Sequence, residues 1–246
     1  MSELRVIPLE GIPPVEEGAD LAALCATSAE RFGGFVDGDV LVVAQKAVSK
    51  ADGRVVALDD VEASRLAHAI AGDHDPRQLE VILRESARVV RLRPPLVIAE
   101  TRHGFVCASA GVDASNAPGA GALVLLPVDP DASATRLRAG LAERTGRDVA
   151  VIVSDSFGRP WRHGTTDVAI GAAGLTPLLD HRGTRDPAGY ELRATTIAVA
   201  DEIAGAAELV MGKVAGVPAA VVRGLAVAGD GSARDLVMPA ERDLFR

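Results

Sequence analysis

Five apolar residues, Val149-Ala-Val-Ile-Val153, run straight into Ser154-Asp155-Ser156. A short, mostly β-branched run of this kind reads as a buried strand, and in open α/β sheets ligand groups sit just past the carboxyl ends of strands. The stretch that follows, up to Asp167, reads as a Gly-Pro loop carrying Arg159, Arg162, His163 and the chain's one tryptophan. A carboxylate and a hydroxyl followed by two guanidinium groups suit a divalent cation bound to phosphate oxygens. The competing reading is a solvated polar loop, which the density of reactive side chains argues against.

The 246 residues can bury a substantial core, as one large domain or two small lobes. No apolar run reaches the ~18 residues of a membrane span, and no basic stretch precedes an apolar segment at the N-terminus, so neither a membrane anchor nor a secretory signal is expected. Cys25 and Cys107 form no CxxC pair and read as small core residues, which points to a cytoplasmic protein. A net charge of −8 and 3% aromatic residues argue against a nucleic-acid surface. Of 26 lysines and arginines only Lys46, Lys50 and Lys213 are lysine. In so arginine-rich a chain, a retained lysine suggests a place where a compact ammonium is wanted, as at a phosphate.

Leu4 to Leu9 alternates as a first strand, and Gly11-Ile-Pro-Pro-Val15 is a rigid turn. Asp20 to Phe32 reads as a helix capped by Asp20 and stopped by Gly33-Gly34, and Val40 to Ala44 as a strand. Val55 to Leu58 is a further strand. A helix from Asp59 or Asp60 to Ala71 should have Val61, Leu66 and Ile70 near one face, with His68 at or near the surface. Pro76 opens a helix to Glu85, whose charges, with Arg88, form a solvated face. Leu96 to Ala108 reads as a hairpin with Gly104 in its turn and His103 exposed at the tip. Asp113 and Asn116 offer oxygen ligands in the loop beyond, although both are ordinary turn formers. Leu123 to Leu126 is a strand and Asp131 to Arg144 a helix. Val168 to Gly174 is glycine-rich, suiting close backbone packing. Thr195 to Val210 reads as a helix, and Pro218 to Val222 as a strand.

Standard signatures are missing: there is no GxxxxGK[ST], GxGxxG, HExxH or GxSxG. Hard oxygen ligands at Asp113, Asp155 and Ser156, with cationic side chains, describe a magnesium or manganese site for a nucleoside triphosphate.

Gly11-Ile-Pro13, Val48-Ser-Lys50 with Ala51-Asp-Gly53, Ala110-Gly-Val-Asp-Ala-Ser-Asn116, Ser154 to Arg162, Glu208-Leu-Val-Met-Gly-Lys213 and Val221-Val-Arg-Gly224 occur in one order across nearly the whole chain. Together they resemble the CofE family, ligases that use GTP to add L-glutamate to the precursor of the deazaflavin coenzyme F-420. The resemblance implies a homodimer with an α+β fold of mixed sheets and helices in two intimately connected lobes. It makes residues 1–246 a single unit, without the reductase-like domain of some relatives.

By the same resemblance Asp113 and Asp155 hold a divalent cation, and Ser156 takes the place of a threonine that helps bind a second. Ile12, Pro13, Pro14, Val15, Gln45, Lys50, Asn116, Met211, Gly212 and Lys213 surround GTP. Two positions depart from the family: Gln45 replaces a small hydroxyl residue, and Lys213 stands where archaeal relatives have a glutamine that can ligate metal. An ammonium cannot coordinate a cation, so Lys213 either leaves that shell short or contacts phosphate. The implied cofactors are two magnesium or manganese ions, with potassium an optional addition.

The implied partners are GTP, glutamate and the deazaflavin precursor, joined through an acyl phosphate. Asp155 and Lys50 serve catalysis, and Arg159 or Arg162 is expected to grip a phosphate or the glutamate carboxylates. The alternatives are a metal-dependent phosphohydrolase using Asp155, and a nucleotide-binding module without turnover.

Overall fold

In the computed structural model, which describes residues 3–244, β1 (Arg5–Pro8) leads through the proline turn to α1 (Leu21–Ala29). The Asp20 carboxylate accepts from the Ala23 N–H at 3.0 Å, and Gly33 in a left-handed conformation ends the turn after α1. β2 (Val40–Ala44) passes without a loop into α2 (Gln45–Ala51), and β3 (Val55–Ala57) follows. The next helix, α3 (Arg65–Ala71), starts later than the sequence suggests. Residues 58–60 form an isolated tight turn, Val61 is extended and buried, and Ser64 caps α3 through Ala67 N–H. Leu66 is consequently solvent-facing at 58% exposure, rather than on the packed face.

α4 (Pro76–Glu85) begins at Pro76 as expected, and β4 (Ser86–Arg93) succeeds it directly. Sequence reading missed β4 because most of its side chains are exposed, leaving no apolar alternation to see. Arg88 therefore belongs to this strand and pairs with Glu100 of β5 (Leu96–Thr101), at 2.9 Å. β6 (Val106–Ala108) completes the expected hairpin. His103 at its turn is not free. Its Nε2 lies 3.0 Å from the Pro127 carbonyl, and its ring stacks on Phe105.

β7 (Ala122–Val124) and α5 (Pro130–Thr145) precede the central hairpin of β8 (Ala150–Arg159) and β9 (Arg162–Ala173). Here the largest difference appears. Ser154 to Arg159, expected as a loop, continues the strand, and a turn at Pro160-Trp161 sends the chain back. β10 (Leu179–Asp180), β11 (Thr196–Ile197), α6 (Val199–Met211) and β12 (Ala219–Arg223) finish the order. α6 begins four residues after the expected Thr195, because Thr196 and Ile197 pair with β10.

The main sheet has the order β1-β12-β2-β8-β9, with β2 and β8 parallel and the other neighbours antiparallel. Strand alternation divides its side chains. Leu41, Val43, Val151, Val153 and Val221 meet α1 and α5, whereas Val40, Val42, Ile152, Ala220 and Val222 meet α6. Covering both faces explains why β2, β8 and β12 are continuously apolar. Gly171 allows α5 to lie on β9, since a Cβ there would sit 2.4 Å from the Pro130 carbonyl oxygen. The edge strand β9 is blunted by carboxylates: Asp131 accepts from Ala172 N–H and Asp201 from Ala169 N–H.

A second lobe packs α3, α4, β5 and β7 around Val61, Leu79, Ile82, Val97, Leu123 and Leu125. Gln45 Nε2 donates to the Leu125 carbonyl at 2.8 Å, and Arg54 Nε to that of Leu126 at 2.9 Å, so α2 and the chain after it fasten the two lobes. This is an α+β architecture. Cys25 and Cys107 are buried free thiols. No described helix is long and apolar enough to cross a membrane.

Asp39 is fully buried, and its carboxylate receives Arg223 Nε and Nη2 at 2.7 Å each and Val36 N–H at 2.9 Å. Replacing Arg223 with methionine leaves that charge unpaired, at a cost of about 3–5 kcal/mol. Chemical denaturation of Arg223→Met should show that loss. An unchanged midpoint would mean the pair does not hold β12 to the β2 entry.

Candidate active site

Three parallel strands end at the same edge of the main sheet. β1 and β2 both run antiparallel to β12, and β2 is parallel to β8 with Ala44 opposite Ser154. Whatever follows each strand converges there. Ile12 to Val15 follow β1, α2 follows β2 with Gln45, Lys46 and Lys50, and Ser154-Asp155-Ser156 extend β8. The 212–218 segment before β12 closes the opposite side, held where Ala44 N–H donates to the Pro218 carbonyl at 2.8 Å. The result is an open cleft of about 400 Å³, within the usual size of small-molecule sites.

The cleft's chemistry comes from the hairpin register. Ser156 stands opposite Asp167, whose two carboxylate oxygens accept from Ser156 Oγ at 2.7 Å and Ser154 Oγ at 2.9 Å. Asp155 lies between the two serines, so strand alternation turns it to the other face. Its carboxyl is pushed up to about 7, mainly by burial and further by the charge of Asp167. The Ser156 N–H, Lys46 and Lys213 act against that rise without cancelling it.

All three lysines of the chain line this one cleft, with Lys46 and Lys50 one turn apart on α2 and Lys213 facing them after α6. Lys50 is drawn below its ordinary pKa by burial and by repulsion from Lys46. Lys46 Nζ donates to Asp113 Oδ2 at 2.5 Å and to Ser115 Oγ at 2.5 Å. Asp113 hangs from the second lobe, its backbone exchanging two hydrogen bonds with Val124. Burial would raise its carboxyl, but Lys46 and Ser115 outweigh that and hold it below the usual carboxylate range.

A family model described as F420-0:Gamma-glutamyl ligase matches residues 11–224. The chain is 44% identical over 99% of both lengths to the "Coenzyme F420:L-glutamate ligase" of Methanothermobacter thermautotrophicus. It is 47% identical to the protein of that name from Methanopyrus kandleri, covering 99% of this chain and 98% of the relative, and 42% identical to the one from Archaeoglobus fulgidus, over 99% and 96%. The chain belongs to the F420-0:gamma-glutamyl ligase family.

Most of the expected site residues come together in this ligase-family fold. Ile12, Pro13, Pro14, Val15, Gln45, Lys50, Asn116, Asp155, Ser156, Met211, Gly212 and Lys213 all line the cleft. Asp113 sits just behind Lys46. Gln45 is buried with its amide nitrogen committed to Ser49 Oγ and the Leu125 carbonyl, so that end of the side chain braces the lobes. Arg159 and Arg162 are not brought into this cleft. They lie exposed at the hairpin tip beside Trp161, with Arg159 Nη2 donating to the His163 carbonyl.

Sequence reasoning passed over Ser154, Asp167 and Glu208 as site residues, although all three line the cleft with Lys46. The scarcity of lysine was the available signal for Lys46. Asp167 needed the strand pairing that a loop reading of the hairpin could not supply.

The Asp155 shift has a thermodynamic consequence in ligand-free, metal-free protein. A carboxyl whose folded pKa of about 7 exceeds its ordinary 3.8 binds more protons folded than unfolded. Its contribution to stability is complete below about pH 4 and is lost as the pH rises to about 7. Asp155→Asn removes that loss, so the variant should gain melting temperature over wild type as pH increases across this window. A constant difference between the two melting curves at every pH would show that Asp155 titrates normally.

Proposed function

We propose that the protein is a GTP-dependent ligase that adds L-glutamate to the terminal carboxylate of the deazaflavin coenzyme F-420-0 precursor, acting in the cytoplasm as a homodimer. One observation carries the reading: every lysine in the chain converges on a cleft whose far wall is built of carboxylates and hydroxyls. Family membership and the relatives' names supply the glutamate and the deazaflavin. The exposed Trp161 at the arm of β8 and β9, 82% accessible, supports a second copy as neighbour.

The donor set fits a hard divalent cation. Asp155, Ser156, Ser154 and Asp167 offer only oxygen, and Asp113, bonded to Lys46, adds another carboxylate beside the cleft. Among the described residues no three His, Cys, Asp or Glu side chains form a preassembled cage. Magnesium commonly binds through one or two carboxylates together with substrate phosphates, so a complete protein cage is not required. In this reading Asp113, Asp155 and Ser156 hold magnesium or manganese, two ions, with potassium as an optional third. When bound, these ions neutralise charge on the triphosphate.

Within that frame, Lys50 and Lys213 bind phosphate oxygens and orient the γ-phosphoryl group, while Asn116 and the Ile12–Val15 wall hold the rest of GTP. The precursor's carboxylate oxygen attacks the γ-phosphorus, the bond to the β-phosphate oxygen breaks, and GDP leaves. The glutamate amine attacks the resulting acyl phosphate, loses a proton, and displaces phosphate as the amide forms. Positioning and charge neutralisation supply most of the rate in such transfers.

Mass spectrometry of the deazaflavin product after incubation with GTP, magnesium or manganese, and glutamate tests the proposal. A glutamate-extended product should appear with wild type and fall by about 10²-fold or more with Asp155→Ala. GTP turnover without extension would point to a hydrolase or to a different acceptor. Lys50→Ala should raise the KM for GTP roughly tenfold through a lost charge-assisted contact.

A further inference from the structure

The position of Lys46 is specific. Its ammonium is held by Asp113 Oδ2 and Ser115 Oγ at 2.5 Å each, with 14% of its side chain exposed. Ser115 Oγ also donates to Asp113 Oδ2 at 2.9 Å, and Ser115 N–H to Oδ1 at 2.7 Å. Asp113 therefore has both oxygens engaged, and a cation that takes the Oδ2 lone pair held by the ammonium displaces Lys46. The same ammonium is close enough to influence Asp155 and Lys50. It is bound to a carboxylate of the second lobe and lines the same cleft as Asp155 of the main sheet.

We infer that Lys46 is a resident counter-ion for the metal ligand Asp113, displaced by the entering divalent cation and then passed to the phosphates of the nucleotide. This rests on the reading of the cleft as a metal–nucleotide site. A divalent ion at Asp113 repels the neighbouring ammonium and takes its acceptor. Lys46 cannot follow α2 away, because the helix is anchored between β2 and the Gln45 bridge to Leu125. The flexible four-carbon stem lets the ammonium swing along the wall it shares with Lys50. A triphosphate offers the negative charge the displaced ammonium needs. Without nucleotide, metal binding breaks the Lys46–Asp113 pair with no replacement; with nucleotide, the ammonium acquires a new partner. Lys46 is thus a positioning residue that couples metal binding to nucleotide binding, and the coupling is reciprocal.

The sign of one measurement separates this role from a structural one. If Lys46 merely props up Asp113, its removal weakens metal binding. If Lys46 competes for Asp113, Lys46→Met binds manganese roughly tenfold more tightly in the nucleotide-free state, read by electron paramagnetic resonance. The same variant should lose the enhancement of manganese binding by a non-hydrolysable GTP analogue. Unchanged or weaker manganese binding by Lys46→Met overturns the proposal while leaving the metal–nucleotide reading intact. Failure of wild type to bind manganese even with the analogue overturns both.

A second measurement needs no variant. In wild type, acylation of lysine amines followed by peptide mass spectrometry should show Lys46 protected, and manganese alone should unmask it. Equal labelling with and without the ion also overturns the proposal.

Discussion

The parallel pairing of β2 with β8 is the constraint on which the site depends. Its register sets Ala44 against Ser154, so the first residues of α2 and the polar end of β8 leave the sheet at one level. A slip of one residue would turn the β8 side chains to opposite faces and separate Ser154 and Ser156 from their shared acceptor. Burial makes such a slip costly, because Val151 and Val153 fill one core and Ile152 the other. The same packing that stabilises the sheet therefore sets the distances in the cleft. Antiparallel β9 adds Asp167 by the same logic, and β12 positions the segment bearing Lys213.

Charge in the cleft is arranged as an imbalance awaiting a ligand. Asp113 is satisfied by Lys46, and Asp167 by two serine hydroxyls. Asp155 accepts the Ser156 N–H, yet its carboxyl remains displaced upward by burial. Lys50 is displaced the other way by burial and Lys46. Asp155 and Lys50 thus each sit in an environment unfavourable to the charged form, a common signature of functional positions. A phosphate and a cation entering together would relieve both strains, whereas either alone relieves one.

Much of this was legible in sequence where physics is local. Asp20, Pro76 and Gly146 mark helix ends by capping chemistry, and the apolar runs of β2, β8 and β12 announce strands covered on both faces. The cleft lining was legible through motif order rather than through periodicity. What stayed hidden depends on pairing. β4 is almost entirely solvent-facing, so its strand pattern carries no hydrophobic signal. The Ser154–Asp167 segment contains Gly, Pro and Arg, which read locally as a loop, and only its long antiparallel register makes it a hairpin. Lys46 stood out by rarity, but its bond to Asp113 spans 67 residues and two lobes.

The hairpin also explains why chemistry dense in sequence divides in space. Ser154, Asp155, Ser156 and Asp167 lie near the sheet, where β8 and β9 are anchored by α5 and α6. Arg159 and Arg162 lie beyond that anchorage, on an arm whose two strands pair only with each other. Such an arm presents cationic and aromatic groups away from its own cleft. Its neighbours along the edge, by contrast, have their N–H groups covered by Asp131 and Asp201, which discourages sheet extension there. The division follows from one turn: the base of the hairpin builds the cleft, and its tip is left as surface.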